Sequence, residues 1–115
     1  MSARNKSRAG EQRWESAPIF AALGDETRLR LISRLCHDGP MSITRLTDGT
    51  KVTRQAITKH LEVMREAGLV RNTRRGRERI WQLEQRRLKE VRHWLELISK
   101  QWDEALGRLK KFVEQ

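Results

Sequence analysis

Apolar positions recur along this chain in three successive rhythms, and the middle one says most. Between Thr53 and Ala67, Ile57, Leu61 and Met64 stand at i, i+4 and i+7, so one stripe of a helix faces a core. Arg54, Gln55, Thr58 and Lys59 project from the other side, paired as i and i+4 neighbours in the first two turns. Upstream, Ser42 predicts the cap of a short helix with Ile43 and Leu46 turned inward, Asp48-Gly49 predicts a turn, and Thr53 caps the longer helix. Downstream, Leu69 to Thr73 and Arg79 to Leu83 are β-compatible runs separated by Arg74, Arg75, Gly76, Arg77 and Glu78, with Gly76 able to supply the positive φ of a tight loop. Helix, turn, helix and hairpin predict a mainly α fold, a winged helix-turn-helix over residues 16–83 with one β-hairpin wing. Proteins of this build touch base edges from the first turns of the second helix.

The first rhythm lies before this unit. Ser16, Ala17 and Pro18 mark a helix start, and Gly24 closes a short apolar helix containing Ile19, Phe20 and Leu23. Asp25 is placed to cap the next helix, predicted to bury Leu29, Ile32, Leu35 and Cys36 before Gly39-Pro40 stops it. Residues 1–15 have no repeating apolar position and read as a disordered basic arm.

The third rhythm is a near-heptad seam of Leu88, Val91, Leu95, Ile98, Trp102, Ala105, Leu109 and Phe112, widened by Trp94, Leu97, Leu106 and Val113. One long helix, or two broken near Gly107, then carries more apolar surface than so small a domain can cover. Residues 84–115 are therefore predicted to be a C-terminal helical dimerisation region. Its interface would comprise Ile19, Phe20, Val91, Trp94, Leu95, Ile98, Trp102, Ala105 and Leu109. The same stripe can instead pack on the chain's own first helix, and both arrangements can hold together. Trp14, Trp94 and Trp102 read as core or interface aromatics, so they imply no cofactor.

Charge sharpens the partner. The 115-residue chain has a formal charge of +10, and residues 51–79 hold nine Lys or Arg against three Glu. Clustering of that kind points to a polyanion, here a double-stranded DNA operator, with the arginine-tipped hairpin set to reach backbone or minor groove beside the helix. No segment approaches the ~20 apolar residues of a membrane span, and no secretory signal is seen, so a cytoplasmic location is expected. The single Cys36 fits a reducing compartment and permits no disulfide within the chain. Three histidines, at 37, 60 and 93, accompany no Gly-rich phosphate loop, zinc-protease motif or nucleophile elbow, so an enzyme is not expected. His60, between Ile57 and Met64, reads as a partly buried structural residue or a phosphate contact. Two other functions remain open: a thiol-based redox switch through Cys36, and an architectural or protein-binding winged helix with no defined operator.

Three stretches, ALGDETRLRLISRL, VTRQAITKHLEVMREAGLV and RRGRERIWQL, resemble the ArsR/SmtB family of bacterial transcriptional repressors in order and spacing, over roughly residues 17–95. The resemblance implies a dimeric winged helix-turn-helix that represses by occupying an operator. Thr53, Arg54, Gln55, Thr58 and Lys59 then match the recognition helix, and Arg74, Arg75 and Arg77 the wing tip; the terminal helices would form the dimer interface. The paired cysteines of the family's metal-sensing helix align with Ser42 and Thr44, neither a soft ligand. At the family's C-terminal site His93 stands with Glu90 and Glu104 but lacks a second histidine, and the adjacent Cys36 and His37 diverge by about 100° on a helix. The chain thus resembles the metal-independent branch, with no metal site and with its effector unspecified.

Overall fold

The computed structural model describes residues 16–114. The chain runs through α1 (Ala17–Leu23), α2 (Glu26–Asp38), β1 (Met41–Ser42), α3 (Ile43–Thr47), α4 (Arg54–Glu66), β2 (Val70–Arg75), β3 (Glu78–Leu83) and α5 (Gln85–Glu114). The expected basic arm and Trp14 lie outside the described residues.

Three helices start where short polar side chains can satisfy an orphan backbone N–H. Asp25 accepts from the Arg28 N–H at 3.0 Å, Ser42 from Arg45 at 3.3 Å and Thr53 from Ala56 at 3.1 Å. The Arg28 backbone bond holds the Asp25 carboxyl below its ordinary pKa, helped by the nearby His60 and Arg28 charges and opposed by partial desolvation. A depressed folded pKa means that this stabilisation is complete above the unfolded carboxylate value and is lost as pH falls through the folded one. Asp25→Asn keeps a capping oxygen but cannot titrate. Its urea midpoint is expected to fall less steeply than the native one below about pH 4; identical acid slopes would contradict this origin of the acid sensitivity.

Ile57, Leu61 and Met64 of α4 are all at most 1% exposed, and they meet Ile19 and Ala22 of α1, Leu31 and Leu35 of α2, and Leu46 of α3 in one core. Burying side chains of this size contributes roughly 1.5–3 kcal/mol each, which fixes the rotation of α4 about its axis. The α2 face differs from expectation. Leu31 and Leu35 are buried and Ile32 partly so, whereas Leu29 is 51% exposed and Cys36 is exposed. Leu29 lies about 160° around the helix from Leu31, so both cannot face α1 and α4.

The sheet has three antiparallel strands in the order β1-β3-β2 rather than a lone hairpin. Met41 and Asn72 both pair with Trp81, and the buried Trp81 ties the wing's base to the core. The loop is shorter than expected. Arg74 pairs with Arg79 and Arg75 with Glu78, leaving only Gly76-Arg77 as the link, with Gly76 at φ +64°. A two-residue hairpin link favours a positive φ at its first position, which glycine supplies without steric cost. Arg74 and Arg75 are therefore held on a paired strand, not on a loose tip.

Helix α5 runs unbroken for 30 residues, about 45 Å, straight through Gly107. Only Val91 is buried; Leu88 packs on the core and Trp94 meets Phe20 of α1 with ring centroids 5.1 Å apart. From Ser99 onward every described residue is exposed, including Trp102, Leu106, Leu109, Phe112 and Val113.

Candidate nucleic-acid interface

The turn between α3 and α4 is braced from three directions. Arg34 of α2 donates to the Leu46 carbonyl at 3.0 Å and the Asp48 carbonyl at 3.4 Å, satisfying acceptors at the end of α3. The Thr50 hydroxyl bridges the Thr47 and Val52 carbonyls at 3.0 and 3.3 Å. Leu46 and Ile57 close the turn from below. The start of α4 is thereby presented to solvent on a rigid base. Its uncompensated backbone N–H groups and dipole favour negative charge there.

The four side chains that the sequence places here, Arg54, Gln55, Thr58 and Lys59, line one shallow depression. Among the described residues Arg54, Gln55 and Lys59 have no side-chain hydrogen-bond or ion-pair partner, so their donors are available to a ligand. The Thr58 hydroxyl donates to the Arg54 carbonyl at 2.8 Å, which leaves it a lone pair and a methyl group to offer. The Thr53 oxygen serves as the cap, and its O–H remains free to donate.

The wing comes up beside this helix. Arg54 and Thr58 share a cleft of about 330 Å³ with Arg77 and Arg79 of the wing and Thr44 of α3. Arg74, Arg75 and Arg77 are exposed and unpaired among the described residues. Sequence reasoning misses Arg79 and Thr44. In the sequence Arg79 is one more hairpin charge, and nothing local to Thr44 shows that α3 abuts the wing.

His60 is placed away from this face. Its ring, 23% exposed, lies with Nδ1 3.1 Å from an Arg28 guanidinium nitrogen and 3.9 Å from Asp25 Oδ2. Arg28 in turn donates to the Ala22 carbonyl. His60 thus ties α4 to the α1–α2 junction, the structural one of the two roles expected for it. Its place on α4 is about 100° or more around the axis from Arg54, Gln55, Thr58 and Lys59.

Ser42 and Thr44, the positions that the resemblance aligns with cysteines, carry hydroxyls instead of thiols. Ser42 is buried and caps α3, while the Thr44 carbonyl accepts from the Thr47 hydroxyl at 3.0 Å. Among the described residues no three His, Cys, Asp or Glu side chains converge in a way that could hold a metal ion. No described helix is long and apolar enough to cross a membrane.

A family model described as a helix-turn-helix domain matches residues 23–73. The chain is 36% identical to YuzN, an uncharacterized HTH-type transcriptional regulator of Bacillus subtilis, over 68% of this chain and 92% of that one. It is 32% identical to an HTH-type transcriptional regulator of Mycobacterium tuberculosis, over 83% and 85% of the two chains. Among solved structures, an ArsR-like transcriptional regulator from Rhodococcus sp. RHA1 superposes with a TM-score of 0.74 at 35% identity, covering 87% of this chain and 93% of that one. These proteins are transcriptional regulators rather than enzymes, and the fold of this chain agrees with that of the solved one over nearly its full length. The chain belongs to the ArsR family of winged helix-turn-helix transcriptional regulators, whose function is to bind DNA.

Proposed function

We propose that the chain is a homodimeric repressor that occupies an inverted-repeat operator, reading bases with the first two turns of α4 and gripping the backbone with the wing. The observation that carries this reading is the shared cleft of Arg54, Thr58, Arg77 and Arg79, which puts the helix start and the wing on one positive face. Arg54 and Gln55 have the donor and acceptor geometry for guanine and adenine edges, Thr58 can offer its methyl group to thymine, and Thr53 and Lys59 suit phosphates.

The second copy is called for by α5. Leu95, Trp102 and Leu109 are exposed at heptad spacing, with Ile98 and Ala105 between them, and Phe20 and Trp94 continue the patch onto the body. So long an apolar stripe on a protruding helix is the pattern of an association surface. Ile19 and Val91, expected in this interface, lie within the protomer's own core and offer it almost no surface. A two-fold pair of such subunits places its half-sites about one helical turn apart on one face of the duplex. Such a regulator works in the cytoplasm, where its operator is.

Selection of bound sequences from a random duplex pool tests the proposal. A palindromic motif is expected; a selected pool with no shared motif would instead indicate an architectural winged helix. Metals are not the proposed signal, because Ser42 and Thr44 lack soft donors and Ser42 already serves as a cap. Operator affinity is therefore expected to stay constant with zinc, cadmium, arsenite or a chelator at concentrations that leave the fold intact. Stoichiometric metal in the purified protein, coupled to DNA release, would overturn this part of the proposal.

A further inference from the structure

Behind the wing lies a second basic surface, larger than the reading cleft. Arg65 at the end of α4, Arg71 and Arg74 on β2, Arg79 on β3, and Arg86 and Arg87 at the start of α5 line an open groove of about 770 Å³, with Glu62 and Glu84 as its only acidic members among the described residues. The α4 end and the α5 start are brought together because the Glu84 N–H donates to the Leu69 carbonyl at 2.8 Å, closing the base of the hairpin. Gly68, at φ +80°, lets the Arg87 stem lie flat on the α4–β2 turn; an added Cβ would stand 3.0 Å from it. Glu62 is held by Arg65 at 2.8 and 2.9 Å, and Arg87 is held by Glu90 at 3.0 Å. Arg71 lies against the Gln82 amide. That leaves Arg74, Arg79 and Arg86 without a side-chain partner among the described residues. β2 is an edge strand, so nothing in the sheet covers this side.

We infer that this groove binds the phosphate backbone of DNA outside the half-site, so that each subunit holds duplex beyond the bases it reads. The inference rests on the proposed orientation of α4 toward the operator. Three features favour backbone over a small anionic ligand. The groove is continuous with the reading cleft, because Arg79 lines both. Its guanidiniums are distributed over four elements instead of converging on one point. Among the described residues its only large apolar lining residue, Val70, is buried and offers no shelf to a base or an organic ring. A ligand recognised by charge and hydrogen bonds alone, and presented as a line, is a nucleic-acid strand.

The test compares a duplex ending at the outer edge of the half-sites with one extended by about one helical turn of arbitrary sequence on each side. The native protein should bind the extended duplex more tightly, by the same factor for unrelated flanks. Arg71→Ala with Arg86→Ala should measurably reduce that gain, with unchanged thermal unfolding, short-duplex affinity and cognate preference. On the extended duplex the salt slope should shrink by roughly 0.9 for each phosphate that is no longer neutralised. The single Arg86→Ala variant, at an exposed position, should show a smaller loss in the same direction. A gain that survives undiminished in the double variant, or no gain in the native protein, overturns the inference. So does millimolar pyrophosphate that releases the short duplex from the native protein but not from the variant, which would make the groove a small-anion site. Failure of the proposed reading helix shows separately, as loss of preference for cognate over scrambled short duplex, whereas the flank effect is a ratio of two lengths.

Discussion

Charged replacements of Ile98 and Trp102 are expected to yield a folded monomer that binds its full operator at least ~100-fold more weakly, because the second half-site is no longer tethered. The fold should survive, since the last buried residue of α5 is Val91 and Trp102 is 64% exposed in the protomer. The Phe20–Trp94 contact, at 5.1 Å, already anchors the base of the helix to α1. What remains beyond it is a stripe with no partner among the described residues, and a charge there costs association without costing the core. Sedimentation and operator titration on the same preparation measure both effects. A variant that sediments as a monomer yet binds the full operator with native affinity and stoichiometry would contradict a dimer built on α5.

The second large effect concerns what each half of the DNA surface contributes. A bidentate pair from Arg54 to guanine or Gln55 to adenine discriminates against a wrong base by about 1–3 kcal/mol, a factor of roughly 5–150. Both side chains are exposed, and unpaired among the described residues, on a helix whose rotation is fixed by Ile57, Leu61 and Met64. Gln55→Ala should therefore narrow the gap between cognate and scrambled duplexes. Arg75→Ala removes charge from the wing and should weaken both duplexes alike, reducing the salt slope by roughly 0.9 for the one phosphate it would neutralise. Because Arg75 sits on a paired strand opposite Glu78, that loss should be confined to one phosphate and not be made good by a neighbour. If Arg54→Ala and Gln55→Ala both leave the preference intact, α4 is not the reader.

The parts of this fold legible in the sequence are those where one residue type has one local use. Asp25, Ser42 and Thr53 cap because a short side-chain oxygen reaches an N–H three residues on, and Gly76 turns because of its positive φ. The core face of α4 is plain because only one of its sides is apolar. On α2 the pattern is ambiguous: Leu29, Leu31, Ile32, Leu35 and Cys36 spread over about 160° of the helix, wider than the face its neighbours cover, and only those neighbours decide which part is buried. β1, two residues long, is too short to show alternation. His60 belongs to α4 by sequence but to α2 by contact, and Thr44, Arg65, Arg86 and Arg87 gain their places from pairings between distant segments. Single-sequence periodicity reports which face of an element is apolar, not which element it meets.

The most direct test of the central claim is a hydroxyl-radical footprint of the native protein on a duplex carrying the selected sequence. Two subunits presenting α4 to successive major grooves should give two symmetric protected stretches about one helical turn apart on one face, centred on the dyad of the inverted repeat. Protection spread evenly along the duplex, and the same on a scrambled sequence, would contradict a dimeric operator-reading regulator.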